Sequence, residues 1–452
     1  MKTIVNKLIL ILLILLAGWS CENVKEWEDP SDAIPPGPVT NVKVENLNGG
    51  ASITYQLPDD TDLLGVKAVY ATHEGGEIYE SFSSAFRDTI VLEGYRDTDE
   101  HVVQLFTMDL SRNLSKPEQA IIKPLTSPVD LIRETLAVNA TYGGFYLKWD
   151  NPMRKDVAVS LYVDSIGEKT LIDTHFSNAV EGRFALRGFE SKQQNVSIDI
   201  RDRWMNYSAP LDTVLTPLFE EEIAGRNSLN QQIWTLWGLA NRECQSRGDN
   251  WATSGGGYNN IALWTDNNYS NWAQIGDDWG MFKHYVPGWP DNEFAVPAYF
   301  TLDMGRPAIY SRIKMWGRGT TFGYICTVFE VWGTNNPKPL VAEVTPEDRL
   351  TNLRYWTAWP EINATDAWKE DWVRLGSYTV VAPSGTGPVK DGDTFTNADV
   401  EFYRNGIDFE ISPDANTTPC QYLRFVVSQS FWPARRQGAQ YAEVKFFGAY
   451  AD

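Results

Sequence analysis

An internal repeat constrains the fold of this chain more than any other feature of its sequence. The pattern Asp-x3-Asn-x-Ser-x-Pro begins at Asp109 and recurs 93 residues later at Asp202. Upstream, Gly-x2-Ile-x-Tyr-x2-Pro from Gly50 is matched by Gly-x2-Leu-x-Trp-x2-Pro from Gly144, at an offset of 94 residues. A difference of one residue between the two offsets is what a single loop insertion gives. The repeat therefore predicts two tandem units of about 90 residues each.

Short stretches in the first unit alternate between apolar and polar residues, and turn residues separate them. These stretches are 42–44, 51–55, 68–70, 89–92, 102–106 and 120–122. Several short strands at this spacing predict a β-sandwich. The repeated patterns also resemble fibronectin type III domains, which implies two such sandwiches at residues 39–126 and 127–219. His73 and His101 are isolated, and the carboxylates are scattered along strand edges and turns, so the sandwiches are interpreted as spacers.

Residues 220–452 form one further block with strand patterns over its whole length. Alternation is clean at 327–334, 372–378, 420–427 and 443–448. The segment 299–319 predicts a strand, a tight turn at 305–307 and a second strand. The segment from Leu229 to Ala240 instead has apolar residues at helical spacing, which predicts a short helix.

The order of motifs in this block resembles the discoidin, or coagulation-factor type C, family of galactose-binding-like jelly rolls. The matching elements are 250–254, 264–267, Trp272, 299–305, 309–318, 329–334, 421–425 and 442–448. Long segments at 276–297 and 335–372 fall where the family carries loops. With the two sandwiches, the resemblance implies an all-β chain in which a jelly roll follows two fibronectin III-like domains.

The resemblance also implies one structural calcium ion. The family commonly holds it in a loop after the first strand, closed by a carboxylate of the last strand, and Asp266, Ser270 and Glu443 match those positions. A hard cation requires six to eight oxygen ligands, and an Asp-Asn-Asn-x-Ser turn supplies several at short spacing. The alternative is an Asx-turn that is satisfied without metal.

A glycan site is expected on the loops at one end of the jelly roll. Sugar binding requires a flat apolar face for the C–H side of a pyranose and planar donors and acceptors for its hydroxyls. Arg318 matches a family arginine at the end of a central strand. The other predicted ligand residues lie on loops: Trp279, His284, Trp289, Trp432 and Arg435. For Trp289 and Trp432, packing within the loop is the alternative.

Other tryptophans are assigned differently. Trp264, Trp272, Trp316 and Trp332 lie in or beside strands, which favours the core. Trp356 and Trp359 lie on the second long segment and are expected on a loop.

The N-terminus predicts export. Lys2 and Lys7 flank the start of an apolar run, 8–17, that is too short for a bilayer span of about 20 residues and suits a signal peptide. Gly18 and Ser20 before Cys21 resemble a bacterial lipoprotein processing site, with Cys21 lipidated. The acidic tether 22–38 begins with a segment that resembles the tag directing lipoproteins to the outer face of the outer membrane. A cleaved secretion signal with an incidental Cys21 is the alternative.

Charge and cysteine content narrow the functions further. The net charge of −20 argues against nucleic acid, which requires a basic surface. Three cysteines follow Cys21, namely Cys244, Cys326 and Cys420, and buried free thiols are the preferred interpretation.

These features are compatible with three functions. The first is a lipid-anchored glycan-binding protein that resembles accessory lipoproteins of outer-membrane polysaccharide-utilisation systems and works beside glycan-uptake proteins. The second is an adhesin that binds a protein partner. The third is a glycoside hydrolase, which requires two carboxylates across a cleft; no such pair is recognisable, so a non-enzymatic protein is expected.

Overall fold

The computed structural model describes residues 33–165, 167–238, 240–241, 243–249, 261–270, 273–275, 297–317, 325–385, 396–411, 418–430 and 439–451. The chain divides into two compact units. One contains the described residues up to Ala137, with Lys148–Gly182 and Asn195–Thr213, and the other contains Val138–Leu147, Arg183–Gln194 and the described residues from Val214 onward. Strands dominate both units, so the predicted all-β fold, tandem sandwiches followed by a C-terminal domain, is confirmed.

The first sandwich has two antiparallel sheets, β1-β2-β5 and β4-β3-β6-β7. Its strands are β1 (Thr40–Leu47), β2 (Gly50–Gln56), β3 (Leu63–Ala71), β4 (Ile78–Ser84), β5 (Thr89–Glu93), β6 (His101–Asp109) and β7 (Glu118–Ile122). Alternate residues of both sheets meet in one core, where Ile53, Leu92, Val66 and Leu105 are fully buried. Burial of each such side chain contributes about 1.5–3 kcal/mol. Helix α1 (Pro128–Thr135) follows β7.

The second repeat contains two further sheets, β12-β9-β8 and β11-β10-β13-β14. Its strands are β8 (Ala137–Thr141), β9 (Gly144–Asp150), β10 (Val157–Ser165), β11 (Glu168–Ser177), β12 (Glu181–Arg187), β13 (Gln194–Arg201) and β14 (Leu211–Leu215).

The repeated Asp-x3-Asn pattern forms the same turn in both copies. The Asn113 N–H donates to Asp109 Oδ1 at 2.8 Å, and the Asn206 N–H donates to Asp202 Oδ1 at 3.0 Å. The residue before each asparagine has a positive φ, 66° at Arg112 and 64° at Met205. The aspartate therefore satisfies backbone donors that the left-handed residue turns away from the strand ladder.

The repeated serine closes each turn. The Ser115 hydroxyl accepts from the Thr107 N–H at 3.0 Å, and the Ser208 hydroxyl accepts from the Ile200 N–H at 3.1 Å. The sequence signature of the repeat is thus a hydrogen-bonding requirement of one turn.

A third copy of this turn, which the sequence did not reveal, lies at Asn227–Gln231. The Gln231 N–H donates to Asn227 Oδ1 at 2.9 Å, and Asn230 has a φ of 60°. The chain then continues into β16, where Leu236 pairs with Leu302. The prediction of a helix between Leu229 and Ala240 is therefore wrong for 229–238, because this turn and the pairing with β18 use the backbone groups that a helix requires.

The C-terminal part contains a nine-stranded sheet in the order β15-β23-β18-β22-β19-β20, with β16 and β21 paired to β18 and β17 to β23. The strands are β15 (Glu221–Ile223), β16 (Thr235–Leu236), β17 (Ala273–Ile275), β18 (Ala298–Gly317), β19 (Cys326–Thr334), β20 (Val373–Thr379), β21 (Ile407–Glu410), β22 (Cys420–Ser430) and β23 (Ala439–Tyr450). Three α-helices, α2 (Glu243–Ser246), α3 (Pro346–Trp356) and α4 (Asn397–Asn405), accompany them, as do short 3-10 helices at Ile261–Trp264, Pro360–Ile362 and Ala367–Asp371.

Strand β18 is the centre of this sheet. Its first part pairs with β22 and its second part with β23, and the register shifts between Asp303 and Ala308. Gly305, at the predicted turn, has a φ of 80° and lies within the strand run. A side chain is disfavoured at such a φ, so glycine allows one chain segment to serve both halves of the sheet.

The main core of this part lies under β18, β22 and β23. Cys326 and Cys420 belong to it, and they are buried free thiols, as is Cys244. The expectation of buried free thiols is therefore confirmed. Burial raises the pKa of Cys326 to about 12, so this thiol is protonated and behaves as an apolar side chain.

A second, tryptophan-rich core surrounds a buried arginine. Arg424 is fully buried and donates from Nη1 to Asp249 Oδ1 and, at 2.7 Å, to the Thr301 hydroxyl. Its Nη2 donates to the Arg247 and Trp356 carbonyl oxygens, both at 2.9 Å. The guanidinium carbon lies 5.0 Å from the Trp368 ring centroid. One cation thus joins four separate chain segments.

Trp356 and Trp359 belong to this core. They are 1% and 0% exposed. Trp356 is the last residue of α3, so the expectation of a loop is wrong for it, whereas Trp359 lies in the irregular segment between α3 and the 3-10 helix at Pro360–Ile362. Helix α3 and the two 3-10 helices that follow it fold the segment 346–371 into a layer against Tyr299 and Val426. The Trp359 indole donates to the Pro297 carbonyl at 2.9 Å.

A charged network binds β12 to the C-terminal sheet. Glu220 accepts from Arg187 at 3.3 Å, from the Ser311 hydroxyl at 2.6 Å and from Arg312 at 3.2 Å. Arg187 also donates to Glu410. Because these side chains are mostly shielded from solvent, the network is stronger than an exposed ion pair.

No helix in the described ranges is long and apolar enough to cross a bilayer. Cys21 and the predicted signal peptide lie outside the described residues.

We expect Arg424→Met to lower the free energy of unfolding by about 3–5 kcal/mol, because the buried Asp249 loses its shorter ion pair, while Arg247 Nε stays at 3.8 Å, and two carbonyl groups lose their donor. Chemical denaturation measures this change. Arg374→Met is the control, since Arg374 is 58% exposed and lies 3.9 Å from Glu330; we expect a change below about 0.5 kcal/mol. A loss below about 1 kcal/mol for Arg424→Met would contradict the role given to this ion pair.

Candidate functional site

Three chain segments outside the described residues begin or end beside the start of β23. Strand β18 ends at Gly317, opposite Tyr441 of β23. Strand β17 ends at Ile275, opposite Ala439, the first residue of β23. Segments 276–296 and 318–324 therefore begin, and segment 431–438 ends, at neighbouring positions of the sheet.

The other ends of these segments lie beside the end of β22. Strand β18 begins at Ala298, opposite Val427, and β19 begins at Cys326, opposite Ser430 at the end of β22. Both strand ends that flank each of the segments 276–296, 318–324 and 431–438 thus lie beside the start of β23 or the end of β22.

Four residues, which we call the strand-end cluster, hold these strand ends together: Trp264, Phe300, Cys326 and Tyr441. The Cys326 N–H donates to the Tyr441 hydroxyl at 3.2 Å. The Trp264 ring lies 6.0 Å from the Phe300 ring and 6.0 Å from the Tyr441 ring, with edge-to-face geometry in both pairs. The starts of β18, β19 and β23 are therefore fixed at one end of the sheet.

The six predicted ligand residues fall in the three segments that leave this end. Trp279, His284 and Trp289 lie in 276–296, Arg318 lies in 318–324, and Trp432 and Arg435 lie in 431–438. All six are outside the described residues, so their assignment remains a prediction.

The tryptophans predicted to lie in the core differ in how deeply they are buried. Trp264 is 1% exposed, which confirms that assignment. Trp332 is half-buried and packs against Trp368, with ring centroids 5.5 Å apart. Trp316 is half-buried beside Tyr269, at 5.3 Å between ring centroids. Trp272 lies outside the described residues.

Two of the predicted calcium ligands meet in the structure. Glu443 is 2% exposed, and its Oε2 accepts from the Asn267 N–H at 3.1 Å, so the last strand contacts the Asp266 turn. Asn267 adopts a φ of 56°, which this turn requires. Burial raises the pKa of Glu443 to about 8, and Asp266 adds to the rise. A cation between these carboxylates would lower the pKa of Glu443 again by favouring its charged form. The pair therefore suits a hard cation.

The remaining oxygens of the turn are used internally. Asp266 Oδ1 accepts from the Asn268 N–H at 2.8 Å, and Asn268 Oδ1 accepts from the Ser270 N–H at 3.1 Å. These are Asx-turns, the predicted alternative to metal binding. No group of three His, Cys, Asp or Glu side chains within the described part of the chain is arranged to hold a metal. A cation would therefore depend on carbonyl, amide or water oxygens for most of its six to eight ligands.

A cavity of about 260 Å³ opens beside Glu443. Asn267, Thr265 and Arg226 line it, and Arg226 donates to the Thr265 carbonyl at 2.8 Å. Sequence reasoning missed Arg226, Tyr441 and Cys326 as residues that organise this end, because nothing in a strand pattern distinguishes them from ordinary core or surface positions.

Three domain families match the chain, and each is described as a domain of unknown function. Residues 36–124 match DUF4959, residues 125–225 match DUF5126 and residues 277–448 match DUF5000. No curated protein matches the chain at a significant level.

Several solved structures are similar to the chain. A SusE-like protein is 20% identical with a TM-score of 0.37, and the match covers 72% of this chain and 100% of that protein. A carbohydrate-binding module of a family 31 glycoside hydrolase from Clostridium perfringens is 13% identical with a TM-score of 0.26, covering 45% of this chain and 92% of the module. A two-domain fibronectin type III segment of chicken tenascin is 15% identical with a TM-score of 0.20, covering 40% and 99%. At these identities and TM-scores the similarities carry no information on ligand or activity.

Proposed function

We propose that this chain is a surface-exposed, lipid-anchored glycan-binding protein whose ligand is captured at the end of the C-terminal sheet marked by the strand-end cluster. The observation that carries the proposal is the common location of the flanking strand ends of 276–296, 318–324 and 431–438. Residue types suited to sugar recognition, which are scattered over more than 150 positions of sequence, are attached to one edge of a rigid scaffold. Binding residues on loops held by such a scaffold are the common arrangement in proteins.

The roles of the predicted residues follow from sugar chemistry. The indoles of Trp289, Trp432 and Trp279 supply flat apolar faces for the C–H side of a pyranose. The guanidiniums of Arg318 and Arg435 supply paired donors for vicinal hydroxyls, and His284 supplies a further polar group. Together these six residues combine the apolar lining and the few polar groups that small-ligand sites use.

The scaffold beneath these loops supports a precise site. The Cys326–Tyr441 hydrogen bond and the Trp264 ring contacts restrict three strand ends, and the Trp359–Pro297 hydrogen bond holds the return point of 276–296. A rigid base lowers the entropy lost on binding. In this proposal the sandwiches are spacers, the anchor at Cys21 holds the chain at the outer membrane, and neighbouring uptake proteins receive the glycan.

We also propose that one calcium ion binds between Asp266 and Glu443. The buried position of Glu443 and its contact with the Asp266 turn support this, and the carboxylates would supply charge and two oxygens. Ser270 is retained as a predicted ligand through its hydroxyl. Calcium bound there would join the last strand to the loop after β16 and stabilise the end of the sheet.

We expect Trp289→Ala and Trp432→Ala each to weaken oligosaccharide binding about tenfold without lowering the melting temperature, because each removes a stacking face on a loop. Affinity gels and titration calorimetry with the full-length chain measure this. Phe219→Ala is the control, since Phe219 is 67% exposed and lies outside the three segments. Unchanged affinity in both tryptophan variants would show that the site is elsewhere, and capture of one protein partner with no glycan bound would favour the adhesin.

Chelation of calcium should lower the melting temperature of the wild-type chain by several degrees, because a ligand at about 100 times its Kd contributes about 2.7 kcal/mol of stability. The variant Glu443→Gln should show no response to chelator, since one charged ligand is missing. Scanning calorimetry with and without chelator tests both. An equal melting temperature for the wild-type chain in the two conditions would mean that the turn is satisfied by its own Asx hydrogen bonds.

Replacement of the predicted lipidated residue gives a test of localisation. We expect Cys21→Ser to move the chain from the membrane fraction to the soluble fraction, because the thioether linkage to lipid is lost. Fractionation of cells, with labelled fatty acid as a second measurement, detects this. Retention of label by the variant would leave the cleaved secretion signal as the better interpretation.

A further inference from the structure

A groove lies on the outer face of β10, β11 and β13, far in sequence from the predicted glycan loops. It encloses about 430 Å³, within the usual range for small-ligand sites. At its floor is Ala158 of β10, which pairs with Phe176 of β11 on one side and with Arg201 of β13 on the other. A small residue between two large ones in a cross-strand row leaves a depression between them.

The internal repeat provides a comparison for this row. At the offset of the repeat, Ala158 and Arg201 correspond to Gly65 and Met108, and Gly65 pairs with Ser84 of β4 on one side and with Met108 of β6 on the other. The central residue of the row is thus small in both copies. The edge strand has serine in the first copy and phenylalanine in the second, and arginine replaces methionine, so the aromatic wall and the guanidinium belong to the second copy.

The walls of this groove, the Phe176 groove (Phe176, Ala158, Arg201, Asn178 and Asp156), present an aromatic face and hydrogen-bonding groups. Phe176 is 70% exposed. The Arg201 guanidinium carbon lies 5.8 Å from the Phe176 ring centroid, whereas the neighbouring Arg203 stacks on Trp204 at 4.0 Å. Arg201 Nη1 donates to Met205 Sδ at 3.6 Å, a weak acceptor. Within the described part of the chain its strong donors are therefore available to a ligand.

Charge around the groove favours a neutral ligand. Two arginines and two aspartates line the groove, so their formal charges sum to zero: Arg201, Arg203, Asp156 and Asp202. The Asp202 carboxylate accepts from the backbone N–H groups of Trp204 and Asn206 and from the Asn206 side-chain amide at 2.9–3.0 Å. Asp156 accepts from the Asn178 amide at 3.1 Å, which orients both groups at the rim. Planar donors and acceptors beside an exposed ring suit hydroxyls on a flat apolar skeleton.

We propose that the Phe176 groove is a second glycan site that binds a pyranose ring of a neutral oligosaccharide. The ring stacks on Phe176, the Arg201 guanidinium donates to two neighbouring hydroxyls, and Asn178 and Asp156 bind a further hydroxyl. The choice of a glycan ligand rests on the proposed function. Two sites on one chain raise the effective affinity for a long polysaccharide by binding it at two places.

Titration calorimetry with maltohexaose, cellohexaose, xylohexaose and mannohexaose tests this inference on the full-length chain. The background variant is Trp289→Ala with Trp432→Ala, in which the C-terminal site is weakened. In that background we expect residual binding of one hexasaccharide, lowered about tenfold by Phe176→Ala. Ala158→Lys should abolish it, since a long side chain between Phe176 and Arg201 would fill the groove.

Phe82→Ala is the control, because Phe82 is a phenylalanine on an edge strand of the first sandwich and is 48% exposed. It should leave binding unchanged, and melting temperatures of all variants report on folding. Residual binding that neither Phe176→Ala nor Ala158→Lys lowers would overturn the second site. Binding by the wild-type chain that disappears completely in the background variant would also overturn it while leaving the proposed function intact. If the wild-type chain binds none of the four, both inferences fail.

Discussion

The buried ion pair between Arg424 and Asp249 is the constraint on which the C-terminal fold depends. A guanidinium without contact with solvent is tolerated only when its charge is compensated and most of its donors are satisfied. Both terminal nitrogens of Arg424 meet this condition with Asp249, Thr301 and the carbonyl groups of Arg247 and Trp356, whereas its Nε has no hydrogen-bond partner among the described residues. The chain leading from α2, strands β18 and β22, and the end of α3 must therefore all be in place together. Aromatic rings, including Trp368 and Tyr299, enclose this cation and exclude water.

This requirement is transmitted to the candidate site through β18 and β22. Arg424 and Thr301 pair in the register of these strands, and three residues further along β22 Val427 pairs with Ala298, where β18 begins. From there Phe300, Trp264 and Tyr441 connect the sheet edge to the starts of β19 and β23. The positions from which the three segments leave are thus set by buried contacts.

The sequence predicted what depends on local hydrogen bonding and alternation, and it failed where tertiary contacts decide. The Asp109 and Asp202 turns were recognisable because one aspartate, one asparagine and one serine each have a defined bond to make. The helix predicted for 229–238 does not form, although the apolar spacing is helical. The turn at Asn227 and the pairing of Leu236 with Leu302 determine the backbone of this segment instead. The burial of Trp356 and Trp359 was not predicted because a long segment with polar residues was interpreted as an exposed loop, whereas α3 and the segment after it pack both rings into a core with Tyr299 and Val426. A buried arginine in a strand has no sequence signature of its own, so this core could not be predicted.

The internal repeat separates the requirements of folding from those of function within one chain. Both copies retain the turn at Asp109 and Asp202, because the fold needs those bonds wherever the sandwich occurs. The outer row differs, with Gly65, Ser84 and Met108 in one copy and Ala158, Phe176 and Arg201 in the other. A sandwich needs neither arrangement for its core, since the hydrophobic core residues lie on the opposite face of the sheet in the first copy. The change therefore concerns the surface, and it places an exposed aromatic ring and a guanidinium beside a small central residue in the second copy.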